Sequence, residues 1–209
     1  MCYCGELWTF AVGHFVLGYF SGKASSTVLK VNINLPLLFA ASILPDVDLF
    51  LRLLYHRGPS HSLITITVLM VPFFLVYRKA AFPYFAALLS HSLIGDFFTG
   101  GVELLWPIST NWYGALNIDM MSLTNVSIEF VLFIVFLAVM LKTGLQSFLQ
   151  PHTHNMILFL PLLAVLGPML SMQREFGFSI SLLLYVSPSL FYSALFSYSM
   201  IIEFRNNSK

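Results

Sequence analysis

Polar residues are sparse along this chain, and the few present are gathered in short stretches between long apolar ones. The apolar segments run from about Leu7 to Phe20, Val31 to Pro45, Ser62 to Tyr77, Ala80 to Phe98, Val126 to Leu141, Asn155 to Met172 and Phe178 to Phe204. A helix needs about 20 mostly apolar residues to cross a bilayer. The pattern predicts an all-α fold, a polytopic transmembrane bundle of about seven helices with the first two short. Pro161, Pro168 and Pro188 lie inside the last two segments, which membrane helices tolerate because neighbours satisfy the freed carbonyls. No repeat and no linker divides the chain. Residues 1–209 read as one membrane domain, with a motif-bearing core over 7–129 and additional helices over 130–209.

If every segment crosses, alternation sends particular segment ends to one side. The end of the second segment, the start of the third, the end of the fourth and the start of the fifth share a face. These positions hold Asp46, Asp48, Arg52, His56, Arg57 and His61, then His91 and Asp96, then Glu129. His14 lies part-way down the first segment, one turn from Gly18, a residue that permits close helix contact. His152 and His154 fall on the opposite side and are excluded from the cluster. Lys and Arg in short loops favour the cytoplasm. Lys23, Lys30, Arg78, Lys79, Lys142, Arg205 and Lys209 lie opposite the cluster, so the amino terminus and the polar face are expected to be extracytoplasmic. The expected location is the inner (cytoplasmic) membrane.

Composition sharpens this. The 209 residues are 58% hydrophobic and 9% charged, with mean hydropathy +0.84. A soluble domain carries about 25% charge, so the natural partner of this surface is the lipid bilayer. A net charge of +1 supplies no basic face for nucleic acid. Cys2 and Cys4 are the only cysteines and make no disulfide framework. Glu6 stands where a secretory signal would be basic, so no such signal is expected.

The chemistry sits in LPDVDLFLRLLYHRGPSHS (44–62) and SHSLIGDFFTGGVELLWP (90–107). Imidazole and carboxylate together suit zinc, manganese or iron. Asp46 and Asp48 are two apart and point to different sides of a regular helix; a turn at Pro45 is needed to aim both inward. Gly58-Pro59 puts His56 and His61 on a turn. His91 and Asp96 are five apart, which an ideal α-helix places roughly 140° from each other; Gly95 is expected to loosen the last turn and let Asp96 swing round. Each residue also has a plainer reading: a helix cap for the aspartates, an interhelical hydrogen bond for His91 with Asp46, a packed contact for His14. Glu129 reads as a favourable charge at a helix start, and Glu103 and Asp119 as solvated loop residues. Trp106, Trp112 and Tyr113 read as interfacial anchors.

LPDVD, HRGPSHS and SHSLIGDFFTGGVELLWP in this order, with the early His14 and Gly18, resemble the YdjM-like family, inner-membrane, LexA-binding proteins assigned as metal-dependent hydrolases. The resemblance covers about Leu7 to Glu129, and the carboxy-terminal helices carry no part of it. It implies a polar set of His14, Asp46, Asp48, His56, Arg57, His61, His91 and Asp96. Many members space the last His and Asp by four, whereas here the spacing is five, so the resemblance carries His61 more firmly than His91.

The expectation is a hydrolase that uses a divalent metal ion, zinc first and manganese or iron next. Asp46, His61, His91 and Asp96 are the first choices as ligands, with His56 and His14 completing the set. Asp48 is a ligand or general base, and Arg57 holds an anion. A lipid or other phosphoester is the expected substrate. Two other classes fit the composition: an ion-coupled transporter, disfavoured because no repeat is visible, and a non-catalytic scaffold.

Overall fold

The computed structural model describes residues 11–50, 55–116, 118, 122–143, 154–172 and 180–208. Helix α1 spans Ala11–Leu29 and α2 spans Leu35–Ile43. Helix α3 spans Leu63–Tyr77, α4 Phe82–Ser90, α5 Phe97–Thr99 and α6 Leu123–Thr143. The last two are α7, Phe159–Met172, and α8, Ile180–Asn207. No strand occurs among the described residues, only an isolated antiparallel bridge between Val102 and Tyr113. The all-α expectation holds.

The helical runs number six among the described residues, fewer than seven. The third and fourth expected segments are one uninterrupted run, Leu63–Thr99. That run nevertheless doubles back. Arg78 adopts φ 50, ψ −126 at the end of α3, and the 3₁₀ turn Arg78–Ala81 leads straight into α4. Phe74 packs on Phe82 and Phe85 at ring distances of 4.7 and 5.2 Å. At the far end the Leu63 amide donates to the Leu104 carbonyl at 3.0 Å. A turn residue in a left-handed conformation thus replaces a loop, and the two arms bring Ser62 and Asp96 to the same end.

Local chemistry explains the starts. Asn34 caps α2, its side chain accepting from the Leu37 amide at 3.2 Å, with Pro36 in the first turn. Ser62 caps α3 through the Ile64 and Thr65 amides. The Ser62 hydroxyl also donates to the Leu104 and Trp106 carbonyls, so one side chain ties the loop after α5 to the start of α3.

The core is aromatic. Phe15, Phe39, Phe136, Tyr192 and Phe196, from α1, α2, α6 and α8, are buried together, with Phe15 5.1 Å from Tyr192 and 5.3 Å from Phe196. Such rings contribute large buried area and favour edge-to-face contacts. Gly18 lets α1 reach α2, since a Cβ there would lie 2.3 Å from the Ser42 Cβ. Among the described residues two runs, Leu63–Thr99 and Leu123–Thr143, are long and apolar enough to cross a membrane. Only 11% and 28% of their most apolar windows are buried by protein, so most of that apolar surface needs lipid. Val68, Leu69, Leu75 and Val76 on α3 are among the outward residues.

Candidate metal centre

The segment after α2 tightens into a 3₁₀ helix, Leu44–Phe50, and Gly58 leads into another, Pro59–His61. These two pieces carry Asp46, Asp48 and His61. The helix after α4 changes pitch: His91–Asp96 is a π-helix. A π turn closes with i→i+5 hydrogen bonds and holds more residues per turn, so residues five apart come much closer in direction than on an α-helix. The five-residue offset, which sets His91 and Asp96 apart on an α-helix, here puts them on one face. Their side chains meet, with His91 Nε2 3.2 Å from Asp96 Oδ2. Gly95 contributes differently from a loosened turn: a Cβ at this position would lie 2.3 Å from the His14 ring, so its lack of a side chain makes room for His14.

Four donor atoms converge: Asp46 Oδ1, His61 Nε2, His91 Nε2 and Asp96 Oδ2. His61 lies 3.3 Å from Asp46 and 3.2 Å from Asp96. His91 lies 3.2 Å from each of Asp46, Asp96 and His61. Donors about 2.0–2.1 Å from a tetrahedral zinc are about 3.3 Å from one another. The observed separations match that edge length. All four residues are buried, His61, His91 and Asp96 completely.

The outer ring nitrogens say which way the inner ones face. His91 Nδ1 is 2.7 Å from the Ser42 carbonyl, which can only accept, so Nδ1 carries the proton. His61 Nδ1 faces Asp48 Oδ2 at 3.3 Å and the Ser60 hydroxyl at 3.0 Å. With Nδ1 donating outward, a neutral ring presents a bare lone pair at Nε2. Two such lone pairs and two carboxylates then point at one spot. Neither Asp96 oxygen has a hydrogen-bond partner among the described residues, although buried polar groups are nearly always satisfied. This donor set fits a divalent cation. Without one, protons must hold the site together. Burial pushes the His61 ring pKa down, but the surrounding carboxylates of Asp46, Asp48 and Asp96 more than reverse this and hold it well above the usual value.

The remaining candidates surround these four. His14 stacks on His91 at 3.8 Å, with its Nε2 3.7 Å from Asp96 Oδ1. Arg57, at φ 63, reaches Asp96 Oδ1 at 3.3 Å and Thr99 Oγ1 at 3.2 Å. Its guanidinium lies over Gly100, where a Cβ would meet it at 2.3 Å. Asp48 accepts from the Ser60 hydroxyl at 2.6 Å and lies 3.0 Å from His56 Nδ1. Burial raises the Asp48 pKa, but hydrogen bonds from His56 and His61 outweigh it and bring the value to about 2. All eight residues therefore gather at one end. His154 lies outside the group, and His152 lies outside the described residues.

Two acidic residues differ from expectation. Glu103 is buried rather than solvated: its carboxylate accepts from the Tyr55 hydroxyl and its amide donates to the Arg57 carbonyl at 3.0 Å. That carboxylate pushes the Tyr55 hydroxyl up to about 12. Glu129 sits in the second turn of α6 because the helix begins at Leu123, and its oxygens accept from the Gly13 amide and the Asn125 side chain, both at 3.3 Å. It holds the start of α1. Asp119 lies outside the described residues. Sequence reasoning also passed over Ser60, Thr99 and the Ser42 carbonyl. A backbone acceptor leaves no mark in sequence, and a serine in HRGPSHS looks like any turn serine.

A family model described as YdjM inner membrane protein matches residues 10–177. The match extends through α7, beyond the Leu7–Glu129 stretch that carries the motifs, so part of the carboxy-terminal region belongs to the shared pattern. No curated protein and no solved structure matches the chain.

Proposed function

The chain belongs to the YdjM inner membrane protein family, and we propose that it is a multi-pass membrane protein holding a divalent metal at Asp46, His61, His91 and Asp96 for hydrolysis at the extracytoplasmic face. One observation carries the metal reading: two buried carboxylates and two Nε2 atoms converge at 3.2–3.3 Å while the Asp96 oxygens find no hydrogen bond among the described residues. Nitrogen and oxygen donors together favour zinc, with manganese or iron next. A metal held here supplies a water of lowered pKa, about 7 on zinc, and polarises a bound oxygen.

The residues around the cluster have distinct tasks in this reading. Arg57 holds Asp96 Oδ1, and its guanidinium is the group that would meet an anionic substrate oxygen, since guanidinium binds phosphate bidentately. His14 packs flat on His91 and limits the movement of its ring. A lipid-borne or other phosphoester is the substrate class that suits a site at head-group depth. The Lys and Arg residues at the opposite end support an extracytoplasmic site.

A second reading has an observation of its own. Four protein donors, fully enclosed, resemble a structural site, because catalytic zinc keeps a position open. In that reading the metal ties the hairpin to the 3₁₀ segments and nothing is hydrolysed. Elemental analysis of purified wild type beside His61→Ala tests the metal, and release of phosphate from phosphoester lipids in proteoliposomes separates the readings. Stoichiometric metal with turnover supports the hydrolase. Stoichiometric metal without turnover supports the tie, and absence of metal defeats both. For orientation, with Cys2 and Cys4 changed to Ser, Ser109→Cys should react with an impermeant thiol reagent on intact cells and Ser25→Cys should not.

A further inference from the structure

Asp48 does not face the convergence point of the four donors. In a 3₁₀ helix successive residues turn by about 120°, so Asp46 and Asp48 leave Leu44–Phe50 in different directions. Both still meet His61, at opposite edges of one ring: Asp46 Oδ1 is 3.3 Å from Nε2 and Asp48 Oδ2 is 3.3 Å from Nδ1. Asp48 is buried, and three groups claim its two oxygens, the Ser60 hydroxyl at 2.6 Å, His56 Nδ1 at 3.0 Å and His61 Nδ1.

We propose that Asp48 is a positioning residue rather than a ligand or general base: it fixes the proton of His61 on Nδ1 and so aims the Nε2 lone pair at the metal, while His56 and Ser60 hold Asp48. The proposal rests on the metal reading of the four-donor cluster. A carboxylate behind a metal-bound histidine sets the ring's tautomer and orientation and raises its basicity. Among the described residues, no carboxylate stands behind His91 Nδ1. Its Nδ1 is held by the Ser42 carbonyl at 2.7 Å, a neutral acceptor fixed by the backbone. The two histidines therefore differ: His61 owes its basicity to a side chain that can be changed, and His91 does not. His56, bound through Nδ1 to Asp48 and partly exposed, is an outer support and not a ligand in this arrangement.

The test uses full-length protein in detergent, titrated with zinc against a chromophoric chelator and separately loaded with cobalt(II). Asp48→Asn should still bind one equivalent at saturating metal, with affinity lowered about 10–100-fold. Its cobalt visible bands should keep the wild-type positions, because the ligand atoms are unchanged. His56→Gln and Ser60→Ala should show the same behaviour with smaller losses of affinity. Asp46→Asn, which removes a ligand, should lose stoichiometric binding and the wild-type bands. Loss of stoichiometry or altered bands in Asp48→Asn, with helical content retained, would make Asp48 a ligand and overturn the proposal. Unchanged affinity would remove its role altogether. If Asp48→Asn fails to fold, the Ser60→Ala and His56→Gln titrations decide: an unchanged affinity in both, or loss of stoichiometry in either, defeats the proposal. Wild type that binds neither zinc nor cobalt overturns the metal reading itself, a result distinct from every variant outcome.

Discussion

Near the carboxy terminus, Glu203 on α8 accepts hydrogen bonds from the His154 and Met156 amides at 3.1 and 2.8 Å, and Asn155 donates to the Ser199 carbonyl at 2.9 Å. At the other end, Asp96 sits among His61, His91 and Arg57 with neither oxygen in a hydrogen bond among the described residues. Both regions join a histidine-bearing segment to a carboxylate across helices. In the first, both Glu203 oxygens meet amide donors, and the backbone of His154 takes part rather than its ring. The Glu203 carboxylate does what a helix cap does, satisfying amides that begin a helical turn. In the second, Arg57 meets Asp96 Oδ1 as an ion pair at 3.3 Å, while Asp46 Oδ1, Asp96 Oδ2 and the two Nε2 atoms face one another. The residue types alone do not distinguish a fastener from a metal site; the pairing of donors with acceptors does.

The largest expected effect breaks the cation-shaped end. Asp46→Asn and Asp96→Asn should each strip most of the metal, and the double variant should be barely worse than either, measured by elemental analysis. Independent contacts would instead give additive losses. A chelator should lower the wild-type melting temperature, because a ligand bound only by the folded state at 1,000 times its Kd contributes about 4 kcal/mol. Those variants should respond far less. A wild type that melts identically with and without chelator, and carries no metal above background, would make the two ends alike.

Gly95→Ala should come next. The added Cβ meets the His14 ring at 2.3 Å, and overpacking of this kind costs about 1–3 kcal/mol. Thermal melts in detergent should show the loss, and metal affinity should fall with it, because His14 lies flat on His91. An alanine variant with wild-type melting and metal content would mean that His14 does not occupy this gap.

Glu203→Gln should cost about 1 kcal/mol, the scale of a lost helix cap, with metal content unchanged. Loss of metal in this variant would contradict the separation of the two regions. The smallest effect belongs to the double variant His152→Gln with His154→Gln, expected to leave metal content at the wild-type level. A fall in metal would bring that end into the site.

The apolar segment pattern was sufficient for the class of fold, because it depends on chain length per turn and on the cost of polar groups in lipid; alternation pointed to a shared side for Asp46, His61, His91 and Asp96 but not to their meeting at one point. The number of runs was not legible. Arg78 replaces a loop with one left-handed residue, and nothing in Tyr77-Arg78-Lys79 announces it. The pairing of His91 with Asp96 was not legible either. Five residues suit one face only if the helix widens to a π turn, and the neighbours select that pitch: His14 fills the space beside Gly95, and His61 waits opposite. Burial of Glu103 was not legible, because its partners, the Tyr55 hydroxyl and the Arg57 carbonyl, come from a distant part of the chain. Periodicity and composition act through local geometry, so the sequence alone determines which segments are apolar and which end is polar. Which lone pairs face each other depends on side chains brought together from α1, the 3₁₀ segments and the π turn, and only the packed tertiary structure decides that.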